Sequence, residues 1–218
     1  MKSFLIRFLY LMVGLLLFAL GIVMTIKADI GYAPWEVFHA GLAYTTGISI
    51  GVATIIAGAV ILIIVTALGE KLGLGTLLSM ILTGLFIDLI MMLIPVMESF
   101  VLGIIMLIAG LFVVSIGSYF YIKSAFGAGP RDNLMVVLNR KTRLPVGVCR
   151  SIVELIVTLT GWLLGGPVGV GTVVSVVAIG LCIQITFAIF KFDAASVQHE
   201  TLRQTYKSIT KRTGNREE

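Results

Sequence analysis

Six stretches of the chain run apolar for about the length needed to cross a bilayer: residues 4–26, 48–68, 72–96, 100–122, 146–164 and 168–190. A hydrocarbon core of roughly 30 Å takes about 20 residues of helix, so each stretch reads as a transmembrane helix. The first follows Lys2 and Arg7, as a signal peptide would. It is long enough to span, however, and Lys27-Ala28-Asp29 stands where a small-residue cleavage site would be; we read it as a retained helix. An even number of spans puts both termini on one side. With Lys27 as the exception, every Lys and Arg of the chain falls on that side, Lys71, Lys123, Arg140, Lys141 and Arg143 among them. Positive charge near span ends stays cytoplasmic, which predicts cytoplasmic N- and C-termini in a plasma-membrane protein.

Composition agrees with the pattern. The 218 residues are 58% hydrophobic and 12% charged, with a mean hydropathy of +1.08. A soluble domain is about half apolar and a quarter charged, so the polar surface a water-soluble globule needs is missing. Nucleic-acid binders, secreted disulfide scaffolds and ordinary soluble enzymes are excluded. The net charge of +5 fits basic cytoplasmic edges and needs no anionic partner. Cys149 and Cys182 lie in apolar stretches without metal-ligand spacing.

Shifting the sequence by 96 residues superimposes it on itself without a gap. Gly21 falls on Gly117, Ile26-Lys27 on Ile122-Lys123, Gly31 on Gly127 and Pro34 on Pro130. Gly51-Val52 falls on Gly147-Val148, Gly73-Leu74-Gly75-Thr76 on Gly169-Val170-Gly171-Thr172, Ser79 on Ser175 and Gly84-Leu85 on Gly180-Leu181. The chain reads as a duplication: residues 1–96, residues 97–192, and a cytoplasmic tail, 193–218. Each unit holds three spans, an odd number, so the second enters the membrane from the opposite side. That predicts an all-α membrane protein of two inverted three-helix repeats, an arrangement common among secondary transporters. A parallel repeat needs a fourth span from about 34–46 and 130–142, which are too short to cross.

The connection after the first span of each unit carries the least ordinary chemistry. Pro34-Trp35-Glu36 in one half and Pro130-Arg131-Asp132-Asn133 in the other follow a glycine turn. Pro suits the first helical position and an acid complements the positive helix end, so each unit gains a short helix of about three turns. Two placements fit: helices dipping to the midplane with their N-termini toward a ligand, or helices lying flat at the interfaces with Trp35 and Tyr44 as anchors. Gly-x-Gly-Thr-x-x-Ser opens the third span of each unit and suits close helix packing. Twelve residues beyond each Thr stand Asp88 and Gln184; an acid in so apolar a run is a functional candidate. Arg150 and Glu154 are spaced to pair on one helix face, and their repeat mates are Thr54 and Gly58. His39 and His199 are far apart, and no nucleotide, haem or metal motif appears, so no cofactor is expected. The tail, with Lys207, Lys211 and Arg212, reads as a short basic helix drawn to anionic lipid.

Together, six spans, the Gly31-to-Glu36 segment and the Gly73-to-Thr76 opening of the third span resemble the YczE/YitT group of bacterial membrane proteins over about residues 1–192. The resemblance implies a multi-pass bacterial plasma-membrane protein. The function expected is a small secondary transporter or permease for an anionic or zwitterionic solute, sited near Trp35, Glu36, Asp88, Arg131, Asp132, Asn133, Arg150, Glu154 and Gln184. The alternative is a non-transporting accessory protein acting through the basic loop and tail. An enzyme lacks a nucleophile–base set. The expected partners are the lipid bilayer, a small solute and a second copy of the chain, with no nucleic acid.

Overall fold

A computed structural model describes residues 2–194, 197, 199–201 and 204. The described residues form eight helices: α1 (Lys2–Lys27), α2 (Pro34–Thr46), α3 (Ile50–Ala67), α4 (Leu74–Met91), α5 (Phe100–Lys123), α6 (Pro130–Thr142), α7 (Val146–Leu163) and α8 (Val170–Ile189). The all-helical class follows from the apolar runs. Five helices, α1, α3, α4, α5 and α8, are each long and apolar enough to cross a membrane. The sixth stretch departs from expectation: α7 qualifies only together with α6, across a bend of 119°. The third span also ends early, at Met91 rather than near residue 96, because Pro95 cannot continue a helix. Most of the tail, Lys207, Lys211 and Arg212 included, lies outside the described residues.

Local signals set the helix ends. Pro34 and Pro130 occupy the first turn of α2 and α6, after Ala33 and Gly129 in extended conformation. Ser49 caps α3 by accepting from the Val52 N–H, a contact typically worth about 1 kcal/mol. Gly47, in the left-handed region (φ 75°), stops α2. Nine described residues outside the helix interiors have positive φ, and eight fall into pairs 96 apart: Asp29 and Ala125, Gly31 and Gly127, Gly47 and Arg143, Gly69 and Gly165. The bounds of α2 and α3 likewise recur at that offset in α6 and α7.

At the centre α1 crosses α5. A Cβ at Gly14 would stand 2.5 Å from Tyr121 N and 3.0 Å from Gly117 O, and one at Gly21 would stand 2.6 Å from Gly110 O. Because 14 meets 117 while 21 meets 110, the two helices run antiparallel. Lys123 reaches over the Tyr10 ring at 4.9 Å, and the Lys27 end of α1 lies against Gly103. Tyr10 and Lys27 are 17 residues apart, about 26 Å along a helix, so the two first spans end at opposite ends of the bundle.

Each Gly-x-Gly-Thr segment clamps the other unit's connection. The Gly75 N–H donates to Phe126 O at 2.8 Å, and the Gly171 N–H donates to Ile30 O at 2.7 Å. The two bonds are again 96 apart at both ends. Gly73 abuts Gly127, and Gly169 abuts Gly31, with room for no side chain.

The halves differ in one respect. α3 packs closely on α4, with Gly51 on Gly84, whereas α7 leans on α2 and stands apart from α8. Gly147 and Gly180, which correspond to Gly51 and Gly84, face open space.

Candidate functional site

The connections that leave α1 and α5 at opposite ends of the bundle both turn inward, and α2 and α6 start against each other in its middle. Pro34 and Pro130 line one cavity of about 200 Å³. Both helix starts thus lie inside the bundle, where the dipping placement would put them. Trp35 is buried at the cavity, beneath the Arg131 guanidinium at 4.8 Å, so it is no interfacial anchor; Tyr44 is exposed.

Thirty residues line this cavity, and 28 of them form 14 pairs separated by 96. Leu15 is matched by Leu111, Thr25 by Tyr121, Pro34 by Pro130, Glu36 by Asp132, Thr54 by Arg150, and Ser79 by Ser175. The wall is therefore built twice from the same positions with different side chains. The first half contributes Glu36, His39 and Thr54; the second contributes Arg131, Asp132, Arg150, Glu154, Ser118 and Tyr121.

The charged groups are paired. Arg131 Nη1 and Nη2 both donate to Glu36 Oε1 at 3.3 Å, joining the first turns of α2 and α6. Glu36 is 5% exposed. Arg150 Nε donates to Glu154 Oε1 at 2.7 Å. The Tyr121 hydroxyl donates to Asp132 Oδ2. His39 Nδ1 lies 3.2 Å from Thr54 Oγ1. Two guanidinium and three carboxyl groups thus face a mostly apolar chamber. Arg presents five donors in a planar fork, and the two terminal nitrogens of Arg150 make no hydrogen bond among the described residues, which leaves them for an anionic group. The small polar Ser79, Thr83, Ser118 and Ser175 stand on the chamber wall, and the buried Ser175 hydroxyl has no hydrogen-bond partner among the described residues.

Three of the sequence candidates lie elsewhere. Asp88 Oδ2 accepts from the Ser49 hydroxyl and Oδ1 from the Gly51 N–H at 2.8 Å, so it caps α3 instead of lining the cavity. The reason is helical phase: Ser79 and Thr83 of α4, four apart, line the cavity, while Gly84 and Asp88, also four apart, share the flank that meets α3. Gln184, its mate, is exposed on α8. Asn133 bonds the Ala128 carbonyl at 3.2 Å through Nδ2 and borders a second cavity.

That second cavity, about 550 Å³, lies between the start of α4, the α5–α6 connection and the tail, with Asp132 on both chambers. The tail is held there by the Arg7–Glu200 ion pair at 2.6 Å and by the Glu200 N–H donating to Ala125 O. His199 borders it with a buried Nδ1 that has no hydrogen-bond partner among the described residues; burial holds this imidazole below its usual range, against the opposing pull of Asp132.

Sequence reasoning missed His39 and Tyr121. His39 is 1% exposed and follows Trp35 and Glu36 by four and three residues, which puts it on their helix face; that spacing was the available signal. Tyr121 is the mate of Thr25, and only the fold shows that both look into the chamber. Among the described residues no cluster of His, Cys, Asp and Glu is arranged to hold a metal.

Comparison with known proteins matches residues 5–187 to a family of unknown function, DUF6198. The chain is 32% identical to the uncharacterized membrane protein YczE of Bacillus subtilis (strain 168) over 189 residues, 85% of this chain and 87% of that one. It is 33% identical to an uncharacterized protein of Haemophilus influenzae over 180 residues, 80% of this chain and 83% of that one. It is 24% identical to the uncharacterized protein YyaS of Bacillus subtilis over 184 residues, 82% of this chain and 91% of that one. No solved structure matches. The apolar helices and these relatives make the chain a multi-pass membrane protein, and the resemblance read from its glycine and proline motifs holds.

Proposed function

The chain belongs to the DUF6198 family, whose function is unknown, and we propose from the geometry of its central cavity that it is a small secondary transporter of the plasma membrane, built from two inverted units, residues 1–96 and 97–192, with both termini cytoplasmic. The observation that carries the proposal is the wall of the central cavity, in which 14 positions of one unit meet their 14 copies. Two copies that run antiparallel and share one chamber are related by an axis through that chamber, and the axis is where transporters of this architecture bind their solute. The paired positive φ values and the reciprocal Gly75–Phe126 and Gly171–Ile30 bonds support the same relation.

The chemistry of the wall favours a solute with an anionic group. The N-terminal ends of α2 and α6 both point at the chamber with their unsatisfied N–H groups and positive dipole ends. Arg131 and Arg150 add two cations, and their carboxylate partners Glu36 and Glu154 receive them when the chamber is empty of solute. Binding then exchanges the guanidinium's partner, and the released carboxyl takes up a proton, which keeps it from being stranded as a buried charge. Proton coupling falls to Glu154 and to Asp132, which also borders the second chamber. Catalysis forms no part of this reading.

A ligand screen tests it. The purified protein in nanodiscs is heated with a panel of amino acids, short carboxylates and phosphate esters, and any stabilising compound is then offered, radiolabelled, to proteoliposomes. A binder at one hundred times its Kd adds about 2.7 kcal/mol to stability. The expected result is such a shift, with uptake that Arg131→Lys abolishes because an ammonium cannot replace the planar, stacked guanidinium. A panel without a single stabilising compound and without uptake contradicts the reading.

A further inference from the structure

We infer that the cavity opens sideways into the bilayer between α7 and α8, and that the solute it takes is an amphiphile with an anionic head group. This inference rests on the transport reading and narrows its substrate class. It begins from the one place where the halves differ. On the first side the wall between the chamber and the lipid is closed: Met80 packs into the notch left by Gly58, Gly51 meets Gly84, and Asp88 ties α4 to the start of α3. On the second side the same positions carry Val176, Glu154, Gly147 and Gly180, and nothing lies within 4 Å of a Cβ at either glycine.

The gap is continuous with the chamber. Arg150 of α7 and Val176 of α8 both line the cavity, yet Arg150 is 44% exposed at its side chain and Val176 is 49% exposed. A residue can face a chamber and the outside together only at a mouth. The bulk of Glu154 where α3 has Gly58 keeps α7 from seating on α8 as α3 seats on α4.

The mouth has two chemistries. Val176, Ile179 and Ile183 form an apolar rim along α8, and Arg150 stands opposite with two nitrogens free of hydrogen bonds among the described residues. A charged side chain at the edge of hydrocarbon is costly unless something neutralises it, and Glu154 takes only one of its donors. A phosphate or carboxylate completes the fork in bidentate fashion, while an alkyl chain covers the rim. A small water-soluble anion meets the guanidinium alone, whereas an amphiphile reaches it from the bilayer with its chain lying along the rim that lipid otherwise covers.

The test uses the full chain in nanodiscs with Cys149 and Cys182 replaced by serine, and an environment-sensitive fluorophore on Val176→Cys or, as the repeat-related control, on Met80→Cys. Lipids brominated on their acyl chains report contact with hydrocarbon, and iodide reports contact with water. The expected result is strong quenching by brominated lipid at 176 and weak quenching at 80. Dodecyl phosphate then relieves the quenching at 176, whereas equimolar inorganic phosphate and dodecyltrimethylammonium do not. Arg150→Gln raises the dodecyl phosphate concentration needed by about tenfold, the worth of one charge-assisted contact. Quenching by iodide instead overturns the sideways mouth and leaves the transport reading intact. Quenching by neither agent means that a second copy or a closed wall covers the gap, and overturns it too. Equal relief by inorganic phosphate shows that the head alone is recognised and overturns the amphiphile.

Discussion

Gly21→Val is expected to prevent stable folding. A Cβ at this position would stand 2.5 Å from Val114 N and 2.6 Å from Gly110 O, both backbone atoms that no rotamer change can move. Overfilling a packed core costs about 1–3 kcal/mol when side chains can adjust; here α1 and α5 must separate along the whole central crossing, so the loss is expected to exceed about 3 kcal/mol. Association of helices in lipid depends on close backbone approach through small residues, and the Gly14–Gly117 and Gly21–Gly110 contacts are that approach. Gly180→Ala is the control. Its Cβ meets nothing within 4 Å, and the gain in helix propensity should leave stability unchanged or raised by up to about 1 kcal/mol. Unfolding free energies measured by steric trapping in bicelles separate the two; equal effects would mean that the crossing is loose.

Arg131→Ala should be the most damaging change at the site. It removes the guanidinium that holds Glu36, a carboxyl with a 6% exposed side chain, and it uncovers Trp35. Breaking a buried pair by deleting one partner costs about 3–5 kcal/mol, because the remaining charge is stranded. Replacing both members by residues of similar volume, Glu36→Met with Arg131→Met, should recover most of that loss while solute binding stays absent. Thermal unfolding of the three proteins checks this. A single variant within about 1 kcal/mol of the parent would show that Glu36 is not desolvated by the meeting of α2 and α6.

Much of this architecture was legible in the chain, and the reasons are specific. Hydrocarbon demands long apolar runs, so the spans announce themselves. Pro34 and Pro130 mark two helix starts because proline tolerates few other helical positions. The repeat was readable because the glycines that recur, such as Gly31 with Gly127 and Gly73 with Gly169, sit where backbones touch and no other residue fits. What the two short helices approach was not legible, since the same thirteen residues suit a dip or a flat helix, and only the fold shows their first turns joined by Arg131 and Glu36. Asp88 misled because an acid in an apolar run signals function, whereas a helix N-terminus can hold it equally well. The parting of α7 from α8 was invisible, since Gly147 and Gly180 look as suited to contact as Gly51 and Gly84. Only the exchange of Gly58 for Glu154 hinted at it.

The opposed orientation of the two units is tested most directly by labelling one repeat pair from each side of the membrane. Thr46 ends α2 and Thr142 ends α6; both are exposed and they are 96 apart. Single cysteines at these positions, in a background without Cys149 and Cys182, are treated with a membrane-impermeant maleimide on intact cells and again after permeabilisation. The account predicts that position 46 reacts on intact cells and that position 142 reacts only once the membrane is opened. Reaction of both from the same side would contradict it.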